Sequence, residues 1–133
     1  MSEYATTTTG TKSILNPTMF WRVSAYALAA VALLGIALNS TGNKDLLGEN
    51  FLSFDWTHNI LHVVLAGAAF LFGYASLASN VTRTFALIFG IVYLALGVVG
   101  FITDTVGPIG LELGENLVHL LIGAWGVAAG TMK

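Results

Sequence analysis

The sequence predicts an all-α integral membrane protein, a four-helix bundle built from two parallel-repeat helical hairpins. Of its 133 residues, 56% are hydrophobic and only 9% are charged. Soluble domains carry about 25% charged residues, so a soluble globule of this size could not cover its surface with so few charges. An internal repeat, described below, groups the helices in pairs.

Four apolar runs are long enough, or nearly so, to cross a bilayer, which takes about 20 helical residues. The four predicted helices cover approximately residues 20–38, 56–77, 84–103 and 115–132. They form one domain, 17–133, after a polar, Thr-rich segment, 1–16. That segment lacks the basic start and apolar core of a secretory signal, so we expect the first helix to be retained.

The charged residues divide between the two ends of the helices. Basic residues dominate one end: Lys12, Arg22, Arg83 and Lys133. Acidic residues dominate the other: Asp45, Glu49, Asp55, Asp104, Glu112 and Glu115. The positive-inside rule therefore predicts that both termini are cytoplasmic. The net charge of −2 gives no reason to expect nucleic-acid binding, and the absence of cysteine excludes disulfides and thiolate metal sites.

Helices 2 and 4 are copies of one another at an offset of 57 residues, as DWTHNILHVVLAGAAFLFG and ELGENLVHLLIGAWGVAAG. The matched pairs are His58 with Glu115, Asn59 with Asn116, His62 with His119, Ala66 with Gly123, Ala69 with Gly126 and Gly73 with Gly130. Because each repeat contains two helices, both copies enter the membrane in the same direction. This predicts a parallel repeat with a pseudo-twofold axis along the membrane normal.

The matched residues of each helix lie on one narrow stripe at 100° per residue. Each stripe is polar in its outer third and contains alanine or glycine below. Small residues let two helix backbones approach closely in a membrane. We therefore expect helices 2 and 4 to pack against each other at the centre, with helices 1 and 3 outside. The small residues that would form this contact are Ala66, Ala69, Gly73, Gly123, Gly126 and Gly130.

Three segments resemble DUF4383, a prokaryotic family of four-helix membrane proteins with no assigned activity. They are NILHVVLAG, NLVHLLIG and the Arg-led helix RTFALIFGIVYLALGVVGF. The resemblance covers roughly residues 22–130. It implies a four-helix fold in the plasma membrane of a prokaryote, and it supplies no catalytic residues.

The polar part of the stripe has several interpretations. In the first, it is a hydrogen-bonded clasp in which Asn59 and His62 meet Asn116 and His119 across the axis. Contacts of this kind contribute about 0.6 kcal/mol each, so they would fix the register of the helices more than their stability. No cofactor would then be bound.

The alternatives each involve a cofactor. His58, His62, Glu115 and His119 supply three imidazoles and a carboxylate, a donor set that suits zinc or copper. Alternatively, His62 and His119 are axial ligands of a haem or a chlorophyll. Transport or proton relay is the least favoured interpretation, because no acid or base lies at the predicted membrane midplane.

The short loops contain almost no catalytic chemistry, so the sequence predicts a non-catalytic protein and not an enzyme. Its expected surroundings are the lipid bilayer and other membrane-protein subunits. We therefore predict an accessory or structural subunit of a larger membrane complex, such as a respiratory or photosynthetic assembly. The alternative is a stand-alone protein that binds a metal or a pigment near its outer face.

Overall fold

The structure, a computed structural model, describes residues 14–48 and 51–132. Its four helices are α1 (Pro17–Ser40), α2 (Trp56–Tyr74), α3 (Ser79–Val99) and α4 (Leu113–Thr131). The first three are long and apolar enough to cross a membrane, and α4 is not among them. The chain is thus an all-α membrane protein. Residues 1–13 of the predicted N-terminal segment lie outside the described residues.

Local capping determines where the helices begin and end. The Asn16 side chain accepts a hydrogen bond from the Thr18 N–H at 2.8 Å, and Pro17 occupies the first helical position, so α1 begins there and not near residue 20. The predicted second helix ends early, at Tyr74. Near that end, the Arg22 Nε donates to the Gly73 carbonyl at 2.9 Å, which satisfies one of the carbonyls left free at a helix terminus.

Each connection between the helices of a hairpin contains two short antiparallel strands that the sequence did not predict. They are β1 (Asp45–Leu46) with β2 (Leu52–Ser53), and β3 (Thr105–Val106) with β4 (Ile109–Gly110). Gly107, with φ of +58°, and Pro108 form the tight turn of the second pair. In each connection the residue after the strands donates its N–H to the residue before them. These bonds are Phe54 to Lys44 at 2.9 Å and Leu111 to Asp104 at 2.8 Å.

The connection of each hairpin packs against the other hairpin. Strand β2 contacts α4, and β4 contacts α2. The Gly114 N–H, at the start of α4, donates to the Phe51 carbonyl at 2.9 Å. Both connections therefore lie at the same end of the bundle, and each covers the beginning of the other hairpin's second helix.

The helices pack closely within the hairpins, α1 along α2 and α3 along α4, while α1 touches α3 and α4 less extensively. The predicted close pairing of α2 with α4 is therefore wrong. A Cβ added at Gly73 would lie 3.1 Å from the Arg22 backbone nitrogen of α1. One added at Gly123 would lie 2.6 Å from the Leu94 nitrogen of α3, and one at Gly130 would lie 2.6 Å from Leu87. These three glycines thus face the preceding helix of the same hairpin.

A buried aromatic group holds the two hairpins together away from the strands. Phe20, at the start of α1, packs edge-on against Trp125 of α4 at 5.1 Å between ring centroids. The neighbouring Trp21 packs against Phe89 of α3 at 5.3 Å and donates its Nε1–H to the Thr82 carbonyl at 2.9 Å. Ala66 and Ala69 of α2 belong to the same buried cluster.

Candidate functional site

A buried acid–base pair joins the hairpins where α2 and α4 begin. His58 lies in the first turn of α2, where the Asp55 side chain accepts its backbone N–H at 2.8 Å. Glu115 lies in the first turn of α4, and its Oε2 accepts the Glu112 N–H at 3.4 Å. The His58 Nδ1 and the Glu115 Oε1 are 3.2 Å apart, and both side chains are more than nine-tenths buried. This contact links the predicted repeat partners directly.

Two further imidazoles and a phenol surround this pair. The His62 ring lies 4.6 Å from the His58 ring, and the His119 ring lies 6.4 Å from it. Tyr93 of α3 meets the His119 ring edge-on at 5.0 Å and is 5% exposed. We call these residues, with Glu115, the histidine cluster. The sequence pointed to every member of this cluster except Tyr93.

The predicted metal site receives no geometric support. Within residues 14–48 and 51–132, no three His, Asp or Glu side chains are arranged to hold a metal ion. The Nδ1 of His58 is engaged by Glu115. The four proposed ligands, His58, His62, Glu115 and His119, are neighbours, and metal binding by them stays a prediction.

The hydrogen bonds of the predicted clasp are not formed among the described residues. A Cβ added at Gly35 of α1 would overlap Asn59, and one at Gly100 would overlap Asn116. Asn59 therefore packs against α1, and Asn116 packs against the end of α3. Each asparagine contacts the preceding helix of its own hairpin and not the other hairpin. Neither amide atom of Asn59 has a hydrogen-bond partner, and the Asn116 Nδ2 reaches only the Leu111 carbonyl, at 3.5 Å. His58 and Glu115 make a contact between the hairpins instead.

A cavity of about 440 Å³ lies between α2 and α3. We call it the α2–α3 cavity. One end is formed by His58, His62, Tyr93 and His119, and the remaining walls are entirely apolar or aromatic. These walls consist of Trp21, Leu61, Leu65, Ala68, Phe72, Phe85, Ile88, Phe89, Val92, Leu96 and Ile109. Leu61, Ile88 and Val92 are also exposed on the outer surface of the bundle, so the cavity borders that surface.

A smaller cavity of about 220 Å³ lies on the opposite side, between α1 and α4. It is lined by the same three histidines and Tyr93, together with Glu115. The strand segments Leu46 and Leu52 close its end. The histidine cluster therefore borders two largely apolar spaces.

One ring nitrogen, Nδ1, in each of two cluster histidines has no protein partner among the described residues. The Nδ1 atoms of His62 and His119 are buried and form no hydrogen bond. Both rings line the α2–α3 cavity, so a molecule bound there would meet these imidazoles.

No family model, curated protein or solved structure matches this chain. The resemblance to DUF4383 therefore stays a prediction. What the fold and composition establish is the class: a small all-α protein with three helices, within residues 14–48 and 51–132, that are able to cross a membrane.

Proposed function

We propose that this protein binds a small, largely apolar molecule from the bilayer, in the α2–α3 cavity. One observation supports this above all: an apolar cavity of about 440 Å³ ends at the imidazoles of His58, His62 and His119. Small-molecule sites have volumes of about 300–1,000 Å³ and combine apolar walls with a few polar groups that fix orientation. The cavity has both properties, and the protein would act as a binder and not as an enzyme.

The bilayer is the proposed source of the ligand because the cavity borders the apolar outer surface of the bundle. Leu61 is 36% exposed, Ile88 51% and Val92 49%. A molecule that is dissolved in the hydrocarbon region could therefore enter between α2 and α3 without crossing water. Its apolar part would remain among Phe72, Phe85 and their neighbours, and its polar part would reach the histidine cluster.

A cavity-filling substitution tests this proposal. Ala68 lines the α2–α3 cavity, so Ala68→Phe places a ring inside it. Ala95→Phe adds the same ring on the exposed face of α3 and serves as the matched control. Protein purified from membranes of its source organism is extracted and its small molecules are measured by mass spectrometry. We expect a near-stoichiometric apolar molecule in the wild type and in Ala95→Phe, lost in Ala68→Phe. A wild-type protein without such a molecule contradicts the proposal.

We further propose that all four helices span the membrane as a parallel repeat with both termini cytoplasmic. Both halves have the order helix, strand pair, helix. Phe54 and Leu111, which are 57 residues apart like the helix repeat, make equivalent backbone hydrogen bonds. A prokaryotic plasma membrane is the location that the DUF4383 resemblance implies.

Because the chain has no cysteine, single cysteines can test this arrangement. Asn43 and Thr105 lie in the two strand-containing connections, and Ser76 lies between α2 and α3; all three are exposed. In intact cells, an impermeant maleimide should label Asn43→Cys and Thr105→Cys but reach Ser76→Cys only after permeabilisation. Labelling of Ser76→Cys in intact cells would show that the orientation is the reverse of the one proposed.

The accessory role within a larger complex also remains a proposal, and it is compatible with ligand binding. It is supported by the short connections, which leave most of the apolar helix surface for lipid or for other subunits. Purification in a mild detergent, followed by measurement of the particle mass, tests it. We expect co-purifying membrane subunits; a particle that contains this chain alone would contradict the accessory role and leave the ligand proposal intact.

A further inference from the structure

The surroundings of His62 and His119 determine which ring nitrogen carries the proton. A neutral imidazole has one N–H donor and one acceptor nitrogen. The Nδ1 of each ring is enclosed without any acceptor, and a buried N–H without a partner is costly. The proton is therefore better placed on Nε2, the nitrogen left to meet a molecule in the cavity. Each ring then presents a hydrogen-bond donor to that molecule.

This arrangement disfavours His62 and His119 as ligands of a metal or a haem. A histidine that binds a metal uses one unprotonated nitrogen and almost always donates its other N–H to a carboxylate or a carbonyl. Neither ring has such an acceptor at Nδ1. His58 does have one, in Glu115, but that contact engages a single imidazole. Two donors on residues that line one cavity fit a ligand with acceptor oxygens better.

The charge of the histidine cluster restricts the choice of ligand further. His58 pairs with Glu115 at 3.2 Å, and the enclosed Nδ1 atoms of His62 and His119 have no acceptor for a second ring proton among the described residues, so the cluster keeps no free cation to neutralise the carboxylate of a fatty acid. Tyr93 adds a phenol O–H at the same end of the cavity. A neutral molecule whose carbonyl oxygens accept hydrogen bonds is therefore the complementary ligand.

The walls of the cavity indicate the shape of that molecule. Phe72 and Phe85 stack at 4.7 Å, Phe89 and Tyr93 stack at 4.1 Å, and Trp21 lies between these pairs. Aromatic faces favour a flat ring by offset stacking. The exposed aliphatic residues at the border of the cavity, by contrast, suit a flexible apolar chain that continues into the lipid.

The histidine cluster offers hydrogen-bond donors and no free cation, and the walls of the cavity are aromatic. From these properties we infer that the occupant of the α2–α3 cavity is a quinone with an isoprenoid tail. Its ring carbonyl accepts from the imidazoles of His62 and His119, and its tail leaves past Leu61 and Ile88. The inference rests on the proposed function and specifies its ligand. It concerns binding alone and assigns no electron transfer to the protein.

Thermal stability of the detergent-purified, delipidated protein gives a test, because a ligand of the folded state raises Tm with concentration. The probes are ubiquinone-2, geraniol, which has the same two-isoprene tail without the quinone ring, and decanoic acid. We expect ubiquinone-2 to raise Tm at lower concentration than either control. His119→Phe should weaken ubiquinone-2 binding about fivefold, the effect of one lost hydrogen bond, and His119→Gln, which keeps a donor, should restore part of it.

A second measurement covers the case in which a histidine variant folds poorly. A bound quinone should quench the fluorescence of Trp21, which lines the cavity. In a Trp56→Phe/Trp125→Phe variant, Trp21 is the one remaining tryptophan, and the histidine cluster is unchanged. Its fluorescence therefore reports quinone binding beside the intact cluster. Geraniol should displace the quinone only at much higher concentration.

The outcomes separate the two proposals. If geraniol and ubiquinone-2 stabilise the protein equally, and Ala68→Phe blocks both, the quinone inference fails while the proposed function stands. Equal ubiquinone-2 binding by the wild type and His119→Phe also overturns it, as does a tetrapyrrole absorption band in the purified protein. If no probe stabilises the wild type more than Ala68→Phe, the proposed function itself fails.

Discussion

The substitution Gly90→Ala tests the packing within the second hairpin, where α3 and α4 come closest. Gly90 faces the backbone of α4, and the glycines there face α3 in return. A Cβ at Gly90 would lie 2.7 Å from the carbonyl carbon of Gly126 and 2.8 Å from the carbonyl oxygen of Gly123. All of these neighbours are backbone atoms. No side-chain rotation can therefore make room, and the helices must separate.

The expected cost follows from these distances. Ordinary van der Waals contacts of a Cβ begin near 3.4 Å, so the added methyl group overlaps two backbone atoms by more than half an ångström. Overpacking of this kind typically costs about 1–3 kcal/mol. Against this, alanine is favoured over glycine inside a helix by about 1 kcal/mol. Gly67→Ala isolates the second effect, because a Cβ at Gly67 meets nothing within 4 Å.

The assay is equilibrium unfolding in mixed detergent micelles, followed by far-ultraviolet circular dichroism. Relative to Gly67→Ala, we expect Gly90→Ala to lower the free energy of unfolding by about 2 kcal/mol. Because both changes are glycine to alanine within a helix, their helix propensities cancel in this difference. Equal stability of the two variants, within about 0.5 kcal/mol, would refute the close contact between α3 and α4.

Three further predictions use the same unfolding assay. A double-mutant cycle of His58→Ala and Glu115→Ala should give a coupling energy of about 1 kcal/mol, because the pair at 3.2 Å joins the hairpins; additive losses would show that it does not. Asn59→Leu should leave the protein equally stable or stabilise it by up to about 1 kcal/mol, because both amide atoms are buried without partners. A clear loss would instead favour the clasp. Trp21→Phe should cost about 1 kcal/mol, because it removes the hydrogen bond to the Thr82 carbonyl; an unchanged free energy would argue against that bond.

The helices were predictable from the sequence because their signals are local. A long apolar run, a proline at position 17 and an aspartate at position 55 each act within a few residues. The strand pairs were not predictable, since strands of two residues are too short for a periodic pattern. Tyr93 was missed for another reason. From Phe85 onward, the residues of α3 are apolar on every side of the helix, so the sequence contains little information about which face points inward.

The stripe of small residues shows what periodicity leaves undetermined. It predicted close contacts for Gly73, Gly123 and Gly126, and each does lie close to another helix backbone or side chain. The partner was wrong, because a stripe specifies how near a neighbour can come and not which helix that neighbour is. The connection between the helices decides this: each strand pair is short, so consecutive helices lie side by side.

Apart from Tyr93, the members of the histidine cluster were predictable because the repeat placed polar residues at equivalent positions. The proposed pseudo-twofold axis also accounts for where the copies differ. Equivalent residues meet only near that axis, and two carboxylates or two protonated imidazoles would repel there. His58 and Glu115 occupy such positions, and one is a base and the other an acid. Asn59 and Asn116, by contrast, each pack against a separate glycine, so nothing requires them to differ. The coupling measured between His58 and Glu115 is therefore also a test of the axis.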